Sequence, residues 1–555
     1  MKKNVLILGA GTAGALVANL LVRKLDPAQW EVTVVDRARE HVYQPGLLFL
    51  PFRLYGYERR EDVARPIAAP LPKAARFVNA AVESIDTTAK RVQTSAGPLD
   101  YEWLVVALGC EGRADEVEGL VEAGKAGNAH TFYTLDGALA MQDALERMES
   151  GHLVLDIADH PVKCPVAPIE FVFLADYFFR LRKRRERIRI TLVTPLTGCF
   201  TKPVATEVLG RLLVEKNIEV VPNFVLASVD GAKRTITAFD GRSLDYDLLV
   251  AIAPNLGPEV LTDAKLADES GYALTDPRTL KARKAANVYV IGDNTNVATS
   301  KAGSVAHFEA ETLVENLLRE MAGEKPLPSF DGHSNCFIET GFRKAMLIDF
   351  NYDLEPLPGK FPLPGVGPMT LLGESYVNHW GKLAFRWVYW NMLLPGTLSK
   401  VPLLAAKMSF VGKDVKRAPQ VRRAHAATVG QLMSKEVVTI GKGRPLGEAA
   451  ELLTKHKVSG LPVVDVDGRL VGLISEADFV AALDVRHPLR RKPMGTVVDD
   501  LMTDHPVTIR EGDTLEAAIE RMEDKRVKRL VVVGDDARVR GILARRDVLK
   551  MYTAK

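Results

Sequence analysis

Asn4-Val-Leu-Ile-Leu-Gly9-Ala10-Gly11-Thr12-Ala13-Gly14 opens the chain with an apolar strand that runs straight into a glycine loop and a helix. The next strand-like run, Glu31-Val-Thr-Val-Val, ends in Asp36, 22 residues beyond Gly14. Gly9 permits a tight turn, Gly11 lets the backbone approach a pyrophosphate, and Gly14 lets helix and strand pack closely. The helix N-terminus offers amide donors and partial positive charge to phosphates, and Asp36 suits a ribose hydroxyl. Thr12, Ala13 and Arg37 belong to the same turns and join the candidate binding residues. The strand–turn–helix setting, with an acid at that distance, separates this loop from a chance GxGxxG. Outward from it, residues 1–380 alternate strand-like runs with helical periodicity, the pattern of α/β domains built on parallel sheets.

The 555 residues suggest three or four domains. With 47% hydrophobic and 26% charged residues, disordered, collagen-like and polytopic membrane classes are excluded. The balance of 73 Lys+Arg against 70 Asp+Glu argues against a nucleic-acid binder. Four cysteines are too few for a disulfide-stapled scaffold. The N-terminal lysines and apolar run outline a signal peptide, but the glycine spacing, with Arg23 and Lys24 where a cleavage region would stand, argues against one. No segment has the ~20 uninterrupted apolar residues of a membrane-spanning helix, so a soluble or membrane-surface protein is expected.

Near the C-terminus the chain repeats itself. Leu432-Met433, Val438-Thr439-Ile440, Gly472 and Asp478 return 69 positions later as Leu501-Met502, Val507-Thr508-Ile509, Gly541 and Asp547. Each copy reads as an extended entry, a helix (Pro445 to His456; Thr514 to Lys525) and two apolar strands, followed in the first copy by a helix at Glu476. This resembles a pair of cystathionine-β-synthase-type (CBS) domains. Such pairs bind adenine nucleotides through Gly-h-x-Ser/Thr-x-x-Asp, which is complete at Gly472–Asp478 with Ser475 and Asp478. The second copy keeps Asp547 but has Ala544 in place of the hydroxyl, beside Arg545 and Arg546. One nucleotide site is expected, with a pair serving only in dimerisation as the alternative. Between Lys382 and Arg423, nine Lys or Arg accompany a single acid, Asp414, and an aromatic-rich run from Leu383 to Leu394. That pattern suits a helix in a bilayer interface; a core helix followed by a basic linker is the alternative. Arg180-Leu-Arg-Lys-Arg-Arg-Glu-Arg reads as a solvated helix end.

Two later strings bear on the cofactor. Leu104-Val-Val-Ala107-Leu-Gly109 resembles the ATG-type strand end of two-domain flavoproteins, and Val288-Tyr-Val-Ile-Gly292-Asp293 resembles their late Gly-Asp motif. Together with the first loop they imply FAD. A second glycine loop, which NAD(P)H-using relatives carry, is missing: His152-Leu-Val-Leu-Asp-Ile-Ala runs into Asp159-His-Pro-Val-Lys163-Cys164. The following strand ends in Thr194-Pro195 without a ribose-binding acid. An electron donor other than a nicotinamide is expected.

His41-Val-Tyr-Gln-Pro45-Gly46-Leu-Leu-Phe-Leu-Pro51, Lys163-Cys-Pro-Val-Ala-Pro, Phe200-Thr-Lys-Pro203, Thr299-Ser-Lys301-Ala-Gly303, the Cys336 segment and Trp387-Val-Tyr-Trp-Asn-Met-Leu-Leu-Pro-Gly396 together resemble the sulfide:quinone oxidoreductases over residues ~1–400. The resemblance implies that Cys164 and Cys336 form a disulfide or sulfur-bridged pair near the flavin. It further implies that sulfide leaves a persulfide on Cys164, that Cys336 passes electrons to FAD, and that a quinone collects them from the membrane side. Lys163 would favour the thiolate, and Glu170 is the candidate proton acceptor. The chain departs from the family in lacking a cysteine in Ala129-His-Thr-Phe-Tyr-Thr-Leu, where some bacterial members have one, and in carrying the CBS pair. Cys110 and Cys199 read as structural.

The expected fold is α/β: two Rossmann-like, glutathione-reductase-type domains, a membrane-docking segment and an α/β CBS pair. Expected boundaries are 1–112 and 286–330 for the FAD domain, 113–285 for the second Rossmann-like domain, 331–411 for the Cys336 and docking segment, 412–427 for a basic linker, and 428–484 and 485–555 for the CBS copies. The expectation is a peripheral homo-oligomer on the cytoplasmic face of a prokaryotic membrane, with no metal. A type II NADH:quinone dehydrogenase and a non-enzymatic nucleotide-sensing flavoprotein are the competing readings.

Overall fold

The computed structural model describes residues 2–397 except 364, and residues 428–547 except 457, 477, 480–496, 526, 528, 545 and 546. The basic stretch from Lys400 to Arg423, with Arg545 and Arg546, lies outside the described residues. The chain forms two compact units, residues 1–415 and 416–555.

In the first unit, β1 (Lys3–Leu8) leads through the glycine loop into α1 (Thr12–Lys24) and back to β2 (Trp30–Asp36). With β3 (Arg76–Asn79), β4 (Trp103–Val106) and, nearly 200 residues later, β10 (Val288–Val290), they make a parallel sheet of order β10-β4-β1-β2-β3. Val5 to Leu8 and Leu104 to Val106 are wholly buried, because a parallel sheet covered on both faces needs unbroken apolar strands. The second sheet is built from β5 (Ala129–His130), β6 (Gly151–Ile157), β7 (Ile188–Val193), β8 (Glu219–Val221) and β9 (Leu248–Ile252), in the parallel order β5-β9-β6-β7-β8. Between β6 and β7 runs α2 (Ala167–Leu181), with twelve buried residues.

After β10 comes α3 (Gly303–Met321), which packs on α1, and then a four-stranded sheet. Its strands are β11 (Ser334–Gly341), β12 (Lys344–Phe350), β13 (Gly359–Leu363) and β14 (Gly367–Leu371). α2 packs against β11, and α4 (Tyr376–Val388) packs against β11, β12 and β14, so α4 is a packed helix of the oxidoreductase unit.

In the second unit the two copies fold alike. Helices Leu446–His456 and Leu515–Asp524 each precede a hairpin, Gly460–Val464 with Leu470–Ser475 and Arg529–Val533 with Val539–Ala544. The copies lend each other edge pairing. Thr503–Asp504 of the second copy adds to the first copy's sheet, and Ser434 of the first bonds to Ile542 of the second, N–H to O, at 2.9 Å. The exchange covers backbone edges that would otherwise stay unpaired.

Candidate active site

The loops at the ends of β1, β4 and β10 converge. Gly9 has φ 104°, and a Cβ there would stand 2.2 Å from the Ala107 carbonyl oxygen. A Cβ on Gly14 would lie 1.9 Å from the Gly9 carbonyl oxygen, so only glycine allows α1 to sit this close. At Gly11 a Cβ would meet nothing within 4 Å, because this residue borders open space. Asp36 ties the turn down, accepting from the Ala10 N–H at 2.6 Å and the Ala38 N–H at 2.7 Å. Asn294 joins the other two crossings: it accepts from the Gly109 N–H at 3.0 Å and donates to the Ile291 carbonyl at 3.2 Å. Glu309 on α3 accepts from the Gly292 N–H at 2.7 Å, and burial raises its carboxyl to about 8.

These crossings enclose a cavity of about 360 Å³. Of the sequence-assigned binding residues, Gly11, Thr12, Ala13, Asp36, Pro45, Ala107, Gly109, Gly292, Asp293, Lys301 and Gly303 line it. Gly9 and Gly14 shape the loop from behind. Arg37 is not brought in: its side chain is exposed and ion-paired with Glu111. The bare backbone at Gly11, at the N-terminus of α1, leaves room for a pyrophosphate among amide donors, so the residues fit FAD.

Cys164, Cys336 and Glu170 line the same cavity, though they come from the loop between β6 and α2, from β11 and from α2. Cys164 has φ 45°, a left-handed conformation that a non-glycine residue holds only when its surroundings enforce it. Here the Cys164 N–H donates to the Lys301 carbonyl at 2.7 Å, and the Cys164 carbonyl accepts from the Ala167 N–H at 2.8 Å and the Tyr133 hydroxyl at 3.3 Å. Ser304 at the start of α3 donates to the Asn335 carbonyl at 2.6 Å, fixing the strand that carries Cys336. All four cysteines are free thiols. Cys110 also lines the cavity, its sulfur 3.9 Å from Asn255 Oδ1, whereas Cys199 packs against the Thr206 carbonyl at 3.5 Å.

Lys382 departs from its sequence reading. Counted there with an interfacial basic segment, it is only 7% exposed and points from α4 into the cavity. Its ammonium pairs with Glu170 and donates to the Phe337 carbonyl at 3.0 Å. Glu170 also accepts from the Glu339 N–H at 2.6 Å. Burial pushes the Cys164 thiol well up and the Cys336 thiol to about 12, and Glu170 pushes both the same way. Lys382 is the cation that pulls both thiols back down. Lys163, expected from sequence to favour the thiolate, acts instead on Cys110 and Asp293. Burial also raises Glu170 itself, against the pull of Lys382.

Sequence reading missed Lys382 and Tyr389, another cavity residue. The available signal was their spacing: Asn378, His379, Lys382, Tyr389 and Leu393 recur at helical intervals and are all buried. The opposite stripe of α4, Tyr376, Val377, Trp380, Ala384 and Trp387, is exposed, with each tryptophan at 62%. Among the described residues no helix is long and apolar enough to cross a membrane, and no group of three or more side chains is placed to hold a metal. In the CBS unit the Ser475 hydroxyl donates to Asp478 at 2.7 Å, while buried Asp547 accepts from the Ala544 N–H at 2.9 Å.

The pyridine nucleotide-disulphide oxidoreductase family matches residues 3–155, and the CBS domain matches residues 429–485 and 498–553. The mitochondrial sulfide:quinone oxidoreductase of Mus musculus is 25% identical over 401 residues, covering 71% of this chain and 86% of that protein. The chain is a flavoenzyme that is similar to sulfide:quinone oxidoreductases and carries a pyridine nucleotide-disulphide oxidoreductase domain. The corresponding Schizosaccharomyces pombe protein is 27% identical, covering 70% of this flavoenzyme and 89% of the yeast chain. The crystal structure of the Aquifex aeolicus sulfide:quinone oxidoreductase shares the fold, with a TM-score of 0.58 at 21% identity over 70% of this flavoenzyme and 92% of that chain. The flavoenzyme is FAD-dependent and carries two CBS domains C-terminal to its oxidoreductase unit in sequence.

Proposed function

We propose that this flavoenzyme oxidises sulfide to sulfane sulfur and passes the two electrons to a quinone. The observation that carries the reading is the meeting of Cys164 and Cys336 with the Lys382–Glu170 pair in the cavity that fits FAD. Sulfide attacks the bridged form of the cysteine pair, leaving a persulfide on Cys164 and a thiolate on Cys336. Lys382 is the cation that lowers the cost of that thiolate in a buried site. Glu170, a carboxylate paired with Lys382 whose affinity for a proton is raised by burial, takes up the proton that sulfide sheds. FAD, when bound, supplies the two-electron acceptor between the thiols and the quinone. Relatives named sulfide:quinone oxidoreductase support this substrate pair.

A nicotinamide donor is disfavoured, because no glycine interrupts the run from Ile157 to Lys163 after β6. The exposed aromatic stripe of α4 supports a peripheral position on a membrane, with the cytoplasmic face of a prokaryotic membrane as its place. Ser475 and Asp478 are the pair we assign to an adenine nucleotide that regulates the enzyme. The deciding experiment mixes anaerobic enzyme with sulfide and, separately, with NADH while following flavin absorbance. Sulfide should bleach the flavin and NADH should not; rapid bleaching by NADH alone would overturn the reading.

A further inference from the structure

Tyr389 begins the single π-turn Tyr389–Leu393 that ends α4, yet it touches the phosphate loop 377 positions upstream. Its hydroxyl oxygen is 2.7 Å from Thr12 Oγ1 and 2.7 Å from His41 Nε2, and His41 Nδ1 is 3.0 Å from the Ala10 carbonyl oxygen. The donor directions follow from the groups themselves. A carbonyl only accepts, so Nδ1 of His41 carries the hydrogen and Nε2 of the neutral ring is an acceptor. Burial, which lowers His41 to about 4, keeps that ring neutral. Tyr389 therefore donates its single hydrogen to His41 and accepts from Thr12. The chain of bonds starts at Ala10 and returns at Thr12, bracketing Gly11.

Tyr389 is backed by packed aromatic rings. Its ring packs 4.9 Å from Tyr43 and 5.2 Å from Trp390, which lies 4.1 Å beneath the Arg65 guanidinium. The next turn seats Gly396 on Leu16 and Leu20 of α1, and the Gly396 carbonyl accepts from Arg23 at 3.0 Å. The loop is thus clamped from two sides by one stretch of chain. With the Thr12 hydroxyl hydrogen spent on Tyr389, the backbone N–H groups of the Gly11–Ala13 turn are the donors this loop keeps for a ligand. Single-turn π segments occur frequently at functional sites.

We propose that Tyr389 is a positioning residue for FAD: its hydroxyl holds the Ala10–Thr12 turn in the form that receives the pyrophosphate, so cofactor retention depends on the far end of the oxidoreductase unit. Tyr389→Phe keeps the ring and its packing and removes only the hydroxyl. FAD release from the full-length holoenzyme is read as the fluorescence rise of free flavin after dilution. It should speed up about 5- to 30-fold, the equivalent of one buried hydrogen bond left unmade. Thr12→Val should speed release as well, Thr12→Ser should keep it slow, and Tyr389→Phe combined with Thr12→Val should fall short of the product of the two single effects, because both remove the same Tyr389–Thr12 bond. A purely structural role would lower the melting temperature of Tyr389→Phe with release unchanged. Wild-type release in either Tyr389→Phe or Thr12→Val overturns the proposal, as does full additivity of the two.

Discussion

Lys382→Met removes the one cation that pulls on both Cys164 and Cys336 while keeping much of the side-chain volume. Lys382 is 7% exposed and Glu170 2% exposed, so water screens this charge poorly. A close opposite charge shifts a group's ionisation by about ten- to a thousandfold at fixed pH. The thiolate fraction of both cysteines should fall by that factor, and with it the rate of alkylation by iodoacetamide, since the thiolate is the nucleophile. Glu170 lies on the opposite side of the balance, raising both thiols, so Glu170→Gln should accelerate alkylation even where it slows turnover by removing the proton acceptor. The assay is peptide mass spectrometry of Cys164 and Cys336 after timed alkylation of the anaerobic, thiol-reduced enzyme between pH 7 and 10, with Lys382→Arg as the charge-keeping control. Equal effects from Lys382→Met and Glu170→Gln, or no change in either, would refute the assignment.

Glu309 is raised from the ordinary 4.5 to about 8, so its stabilising neutral form is complete below pH 4.5 and is lost as the pH climbs through about 8. Glu309→Gln still accepts from Gly292 but cannot ionise, so its melting temperature should fall less than the wild type's between pH 5 and 9; identical slopes would contradict this. Asp156 is fully buried in β6, neither carboxyl oxygen has a hydrogen-bond partner, and burial holds it well above the carboxylate range. Asp156→Val should therefore raise unfolding stability at pH 7 by about 1–3 kcal/mol, and by more at higher pH, in urea titrations; a destabilised variant would assign the acid a partner. Trp380→Ser and Trp387→Ser should each weaken binding to anionic phosphatidylglycerol vesicles about tenfold, because burying even ~55 Å² of ring at about 25 cal/mol/Å² is worth about 1.4 kcal/mol. Unaltered sedimentation of the double variant with vesicles would remove α4 from the membrane contact.

The amino-acid order alone determined which local units form. Gly9, Gly11, Gly14 and Asp36 specify a strand–turn–helix for a dinucleotide because each glycine answers a steric demand within a few residues, and the later Gly292-Asp293 repeats that logic. The 69-residue repeat likewise announced its two copies, since the same apolar spacing must bury the same faces twice. What tertiary structure decided was the company each residue keeps. Lys382 reads as one more charge in a basic run, and only the packing of α4 on β12 turns it onto Glu170. Tyr389 reads as an interfacial aromatic until the π-turn delivers its hydroxyl to Thr12. Cys110 reads as structural, and only the packing of the domains places it in the wall of the cavity. Periodicity states which face of a helix is buried; it carries no information on what a buried lysine or tyrosine meets, because that partner lies more than 200 positions away and is brought close only when all three sheets have packed.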